Sequence, residues 1–209
     1  MENGGLPSRH VHAVRLGVYL LSSISYLLAV SGCDLFAPRA PEAPVVESGT
    51  YLLPSEPQDV VANLQAAVAE LNTQNYRRIF ADDFTFVPTA PSLAQNPSIW
   101  AGWGSMQEEE YFRQLREAAA SRTGHELRLD ASAQTGTFVG DDRYELQAPY
   151  VLTVNHGRPS LPVTFQGRLV WVLRRSDDGL WYLQQWTDEP VGGEQSWSDL
   201  KAAVVSGQL

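Results

Sequence analysis

Apolar and polar positions follow their most extended regular pattern over Val163 to Asp188 (VTFQGRLVWVLRRSDDGLWYLQQWTD). Two runs rich in aromatic and β-branched residues flank Arg175-Ser176-Asp177-Asp178-Gly179. This predicts a β-hairpin, because such side chains suit a pleated, half-buried surface and Asp-Gly tolerates the positive φ of a tight connection. On the first run Val163, Phe165, Leu169, Trp171 and Leu173 share one face. Thr164, Gln166, Arg168 and Arg174 share the other, interrupted by Val170 and Val172. Three of the six tryptophans (Trp171, Trp181, Trp186) fall in this hairpin, so a long, curved antiparallel sheet with one covered face is expected at the centre of the fold. Trp186 shares its expected face with Gln184 and Asp188, a mixed lining suited to the mouth of a cavity.

Upstream, the period changes from two to that of a helix. Ser55-Glu56-Pro57-Gln58 carries a helix start with Ser55 as the cap, and Val60, Leu64, Ala67, Val68 and Leu71 form one apolar stripe ending near Asn72. Tyr76, Ile79 and Phe80 suggest a second, short helix running into Asp82-Asp83, followed by a short strand, Phe84 to Val87, that Pro88 ends. Thr89 to Gly104 reads as a loop whose Trp100 and Trp103 either cap a core or line a mouth. Ser105-Met106-Gln107-Glu108 predicts another capped helix to about Arg122, buried along Phe112, Leu115 and Ala119. Its Glu108-Glu109-Glu110 reads as a solvated first turn complementing the helix dipole rather than a metal cluster. His125 to Ala133 and Arg143 to Val154 read as strands, with a turn at Asn155 to Pro159. A short closing helix starts at Ser196 or Ser198.

Length bounds this to one domain plus a tail: the chain has 209 residues, 44% of them hydrophobic. A net charge of −9, with 15 scattered Lys and Arg, argues against a nucleic-acid partner. The single cysteine excludes an intramolecular disulfide and a multi-cysteine zinc site. Asp34 to Pro54 is rich in Pro, Ala, Glu and Val and reads as an extended tether, in which Tyr51-Leu52-Leu53 is apolar enough to dock on the domain.

Ahead of the tether, a polar head with Arg9 and Arg15 precedes the apolar stretch Leu16 to Val30, the order of a secretory signal peptide. Val30-Ser31-Gly32-Cys33 then resembles the lipobox of bacterial lipoproteins. The resemblance implies cleavage after residue 32, diacylation of Cys33, and a membrane anchor on the extracytoplasmic side of the cell envelope. The mature chain then carries 13 basic and 23 acidic residues, a net −10. Asp34 resembles the inner-membrane retention signal of enterobacterial lipoproteins. The organisation expected is a signal peptide over 1–32, the lipidated Cys33 and tether over 33–54, and one domain over 55–209.

Two helices, a short strand, a third helix and then long antiparallel strands is an α+β order, with helices on the concave side of a strongly curved, cone-forming sheet. Over 55 to about 203 the chain resembles the nuclear transport factor 2-like superfamily. The residues that carry the likeness are the helix DVVANLQAAVAELNTQNYRRIF, the strand DDFTF, the late GLWYLQQWTD and Ser196-Trp197. These are packing motifs, and the fold hosts dehydratases, isomerases and non-catalytic binding subunits alike. Residues placed as possible lining of the cone are Tyr76, Trp100, Trp103, Tyr111, Trp171, Trp186 and Asp188. His125 and His156 are expected at solvated positions, leaving no histidine base, and no motif for a metal, nucleotide or other cofactor is present. The favoured reading is a non-catalytic module taking a small apolar ligand or an envelope protein. The other is a small lyase or isomerase built on an Asp/Tyr pair.

Overall fold

The computed structural model describes residues 49–208; the expected signal peptide, Cys33 and most of the tether lie outside them. The elements are α1 (Pro57–Glu70), α2 (Thr73–Arg77), β1 (Phe80–Val87), α3 (Ala90–Gln95), α4 (Ser105–Ala119), β2 (Glu126–Leu129), β3 (Thr135–Phe138), β4 (Arg143–Thr153), β5 (Thr164–Arg175), β6 (Trp181–Pro190) and α5 (Trp197–Val205). This is the α+β architecture the residue pattern implies. The sheet runs β1-β6-β5-β4-β2, with β3 also paired to β4. It is mixed rather than wholly antiparallel, because β1 lies parallel to β6. Two differences at the strands were not expected: β1 starts four residues ahead of Phe84, and β3, exposed along its whole length, joins β4.

The central hairpin forms as its pattern dictates. Trp171 faces Trp186 across β5 and β6, and the turn closes with Ser176 N–H donating to Leu180 O, with Gly179 at φ 83. Phe165, Leu169, Trp171 and Leu173 are fully buried, whereas Val163 precedes the strand and is exposed. The register slips between Val172 and Leu173, so an extra residue, Gln184, bulges out of β6. Gln184 therefore does not share the face of Trp186; its Nε2 donates to Asp83 Oδ2 on the exposed side. The bulge resets the alternation and turns both Trp186 and Asp188 inward.

Helix starts differ from expectation by one residue. Glu56, not Ser55, caps α1, its N–H donating to the Asp59 carboxylate. Gly104, not Ser105, caps α4, its N–H donating to Gln107 Oε1. The helices α1, α4 and α5 lay Val60 and Leu64, Phe112 and Leu115, and Trp197 and Leu200 into one core with the concave faces of β4, β5 and β6.

Contacts with the domain begin ahead of residue 55. Asn63, buried in α1, accepts from Leu52 N–H and donates to Leu52 O, at 2.7 and 2.8 Å. Trp181 N–H donates to Pro54 O, and the Arg78 guanidinium lies 3.7 Å over the Tyr51 ring. Leu52 and Leu53 themselves stay exposed, so the segment docks through its backbone, the Tyr51 ring and the buried Pro54. A chain starting at residue 55 strands the Asn63 amide without partners. It should be less stable than one starting at residue 49 by about 1–3 kcal/mol, the cost of an unsatisfied buried polar group. Equal urea midpoints for the two chains would refute this.

Candidate functional site

The seven residues expected to line the cone come together in one core, and each is at most 6% exposed. What they surround is a pair of charges that the residue pattern did not disclose. Glu108, in the first turn of α4, and Lys201, in α5, have side chains with no exposure and form a direct ion pair. Glu108 is therefore not part of a solvated acidic turn. Consecutive helical residues diverge by about 100°, so Glu109 and Glu110 face outward while Glu108 lies on the stripe of Phe112, Leu115 and Ala119. The Glu108 carboxylate also accepts from Tyr76 OH at 2.8 Å and from Trp103 Nε1–H at 2.7 Å. With Lys201 this gives it three donors.

Lys201 is the only lysine in the chain; the other 14 basic residues are arginines. Its ammonium sits 3.4 Å from the Phe86 ring centre and 4.1 Å from that of Trp186, with Tyr111, Trp103 and Trp197 at 5.7 to 5.9 Å. Such ring faces attract a desolvated cation. The parallel pairing of β1 with β6 builds the cage by setting Phe86 beside Trp186. Burial nevertheless outweighs the help from Glu108 and Asp188 and lowers the Lys201 pKa to about 8.

A second buried carboxylate, Asp188, stands at the inner end of β6. It accepts from Tyr150 OH at 2.8 Å, and from Ser198 N–H and OH at 2.8 and 2.6 Å. Burial raises its pKa, against these donors and Lys201. Tyr150 OH accepts in turn from Trp197 N–H at 2.7 Å, and Tyr111 OH accepts from Trp197 Nε1–H at 2.9 Å. The phenols of Tyr76, Tyr111 and Tyr150 are all held well above their ordinary pKa, chiefly by burial. The Asp/Tyr pairing in the core is thus Asp188 with Tyr150, while Tyr76 donates to Glu108.

Trp100 and Trp103 close the core from the loop, ring centres 4.7 Å apart, with the Trp100 indole N–H donating to Ser92 O. Trp171 and Trp186 meet edge to face, and neither indole nitrogen has a hydrogen-bond partner. His125 and His156 are both buried, not solvated. His125 Nδ1 accepts from Asn155 N–H and its Nε2 faces Arg122 O; His156 Nδ1 accepts from Arg158 N–H and its Nε2 faces Pro162 O. These partners place the proton on Nε2 in each ring, so both act as turn staples. Among the described residues no group of His, Cys, Asp and Glu is arranged to hold a metal ion, and no helix is long and apolar enough to cross a membrane. A cleft of about 350 Å³ lies outside the core, against Asp199, Ala202 and Ala203 of α5, and none of the seven expected lining residues is among its walls.

No family model matches the chain, and no curated protein sequence matches it. Solved structures do. A Novosphingobium aromaticivorans protein provisionally named an aromatic ring hydroxylase is 18% identical over 69% of this chain and 92% of its own, with a TM-score of 0.51. A nuclear transport factor 2-like protein from Rhodospirillum rubrum, of unknown function in nutrient uptake, is 17% identical over 66% of this chain and 99% of its own, with a TM-score of 0.49. A provisionally named scytalone dehydratase from N. aromaticivorans is 9% identical over 67% of this chain and 89% of its own, also at 0.49. At such identities a likeness speaks to the fold alone. The structural neighbours include proteins described as nuclear transport factor 2-like.

Proposed function

We propose that this protein is a lipid-anchored, extracytoplasmic binding module of the cell envelope, without catalytic activity. The observation that carries the non-catalytic half is the state of the interior. Glu108, Lys201, Asp188 and Tyr150, groups able to do acid–base chemistry, are buried and spend their hydrogen bonds on one another, on Tyr76 and Trp103, and on the Trp197–Ser198 helix start. A catalytic acid or base has to reach substrate. The anchoring half rests on Arg9, Arg15, the apolar Leu16–Val30 and the sole cysteine after Val30-Ser31-Gly32. Thioether formation with a diacylglycerol needs a thiol, which only Cys33 supplies.

Mass spectrometry of the membrane fraction tests this reading. The expected result is a mature chain beginning at Cys33 and carrying its acyl chains, with Cys33→Ala lost from that fraction. An unmodified Cys33 in a soluble mature chain overturns it. One observation favours a second reading, a small lyase or isomerase: Tyr150 hydrogen-bonds a desolvated Asp188 whose pKa is raised, the pairing such chemistry uses. It ranks second because Asp188 is 2% exposed and already accepts three hydrogen bonds. It requires a turnover that Asp188→Asn abolishes without moving the melting temperature.

A further inference from the structure

The polar groups on the walls of the cone have a common property. Glu108 receives Lys201, Asp188 receives Ser198, and Tyr111 and Tyr150 receive Trp197, so four wall residues on α4, β4 and β6 are all partnered from α5. Around the ammonium, every ring except Trp197 belongs to another element. Seen from the walls, α5 behaves as a ligand that carries one primary amine. The segment joining it to β6 is exposed from Val191 to Gln195 and holds Gly192, at φ 61, next to Gly193, with open space at both. Two adjacent glycines with open space where a Cβ would stand allow the change in backbone angles that a hinge needs, with Gln195 O beyond them accepting from Gln166 N–H. The unpartnered indole nitrogens of Trp171 and Trp186 mark the same core as incompletely satisfied.

We propose that α5 is a built-in occupant of an amine-accepting cavity. Swung out about Gly192 and Gly193, it uncovers a pocket walled by Phe86, Trp103, Tyr111 and Trp186 and floored by Glu108 and Asp188. The ligand class is an organic ammonium ion with an apolar body. Aromatic faces and two buried carboxylates favour a cation, and the dry rings favour a ligand that brings apolar area with it. A compact ammonium fits where Lys201 now sits; the planar guanidinium of the arginines used elsewhere in the chain has a different shape and hydrogen-bond fork. This inference rests on the reading of the protein as a binding module, and it is independent of anchoring, which is read from the mass of Cys33.

Hydrogen exchange on the full chain, with n-butylammonium chloride as probe and n-butanol in equal sodium chloride as control, tests the proposal. In the wild-type protein the amine competes with Lys201, so exchange over 197–205 should rise roughly tenfold, a shift of about 1.4 kcal/mol, while 164–175 keeps its protection. In Lys201→Ala the same amine should fill the vacated cage and slow exchange over 197–205, the opposite sign. Adding Glu108→Gln should remove that slowing. If Lys201→Ala does not fold, the wild-type response decides. Amine and alcohol acting alike on 197–205 in the wild-type protein overturn the proposal and leave the Cys33 result untouched.

Discussion

Replacing Glu108 by Gln should destabilise the domain by about 3–5 kcal/mol, because it leaves the Lys201 ammonium buried without its counter-ion. Lys201→Met should cost less, since it strands the carboxylate but also removes an ammonium whose burial outweighs its pairing. The double variant is expected to recover much of the loss: taking two charges out of water is costly, and uncharged groups of similar size do not bear that cost. A coupling of at least about 2 kcal/mol between the two sites is within the range for buried partners. In Glu108→Gln the amide carbonyl can keep the Trp103 N–H at the Oε1 position while the amide N–H donates to the Tyr76 hydroxyl at the Oε2 position, which is why that change is preferable to Glu108→Leu. Lys201→Arg should behave as a loss, not as a conservative change, because ring centres at 3.4 and 4.1 Å leave no room for a five-donor fork. Urea midpoints of the wild-type protein, the two single variants and the double variant measure the cycle. Strict additivity of the two single changes would sink the idea that the pair acts as a unit.

The fold was legible because its strongest elements are local. The 163–188 hairpin carries its own turn chemistry, and the stripes over 60–71 and 112–119 carry their own period. The mixed pairing of β1 with β6 was not, since nothing in DDFTF says which edge of the sheet receives it. Nor was the bulge at Gln184, which a strict alternation passes over. The core chemistry left two signals in the residue pattern. Extending the stripe of Ala119, Leu115 and Phe112 back by four residues lands on Glu108, and the inward set Trp197, Leu200 and Val204 brackets Lys201, the only lysine among 15 basic residues. One acid and one base on two buried stripes have to meet or be destabilising. What remained illegible is the pairing itself, which spans 93 positions, and that of Asp188 with Tyr150, which spans 38. The histidines were misplaced for a related reason. Asn155 to Pro159 has the composition of an exposed turn, but its backbone needs acceptors and donors that His125 and His156 supply.

Stability should rise, not fall, as the solution is made alkaline between about pH 8 and 10. An ordinary lysine in the unfolded chain keeps its proton to about 10.4, whereas Lys201 in the folded domain gives it up at about 8. Between these values the unfolded state binds one more proton than the folded state, so raising the pH favours the fold. Below 8 both states carry the proton and the full penalty for burying it is present. Across the window that penalty is relieved, by about 3 kcal/mol at about 1.4 kcal/mol per pKa unit. The groups facing Lys201 are Glu108, Asp188 and Tyr111. The tyrosines act later and in the other direction. With pKa values raised well above 10, Tyr76, Tyr111 and Tyr150 contribute stability that is lost once the unfolded chain's phenols ionise, so the profile should turn over near pH 10. Because Lys201 is the sole lysine, a chain beginning at residue 49, which also lacks Cys33, has little else among its side chains that titrates between 8 and 10. Urea midpoints from pH 7 to 11 measure the curve, and an NMR titration of the single lysine Nζ reads its pKa directly. The rise should vanish in Lys201→Met. A midpoint that falls steadily from pH 7.5 to 9.5, or an Nζ that titrates above 10, means that Glu108 outweighs burial and reverses the sign argued here.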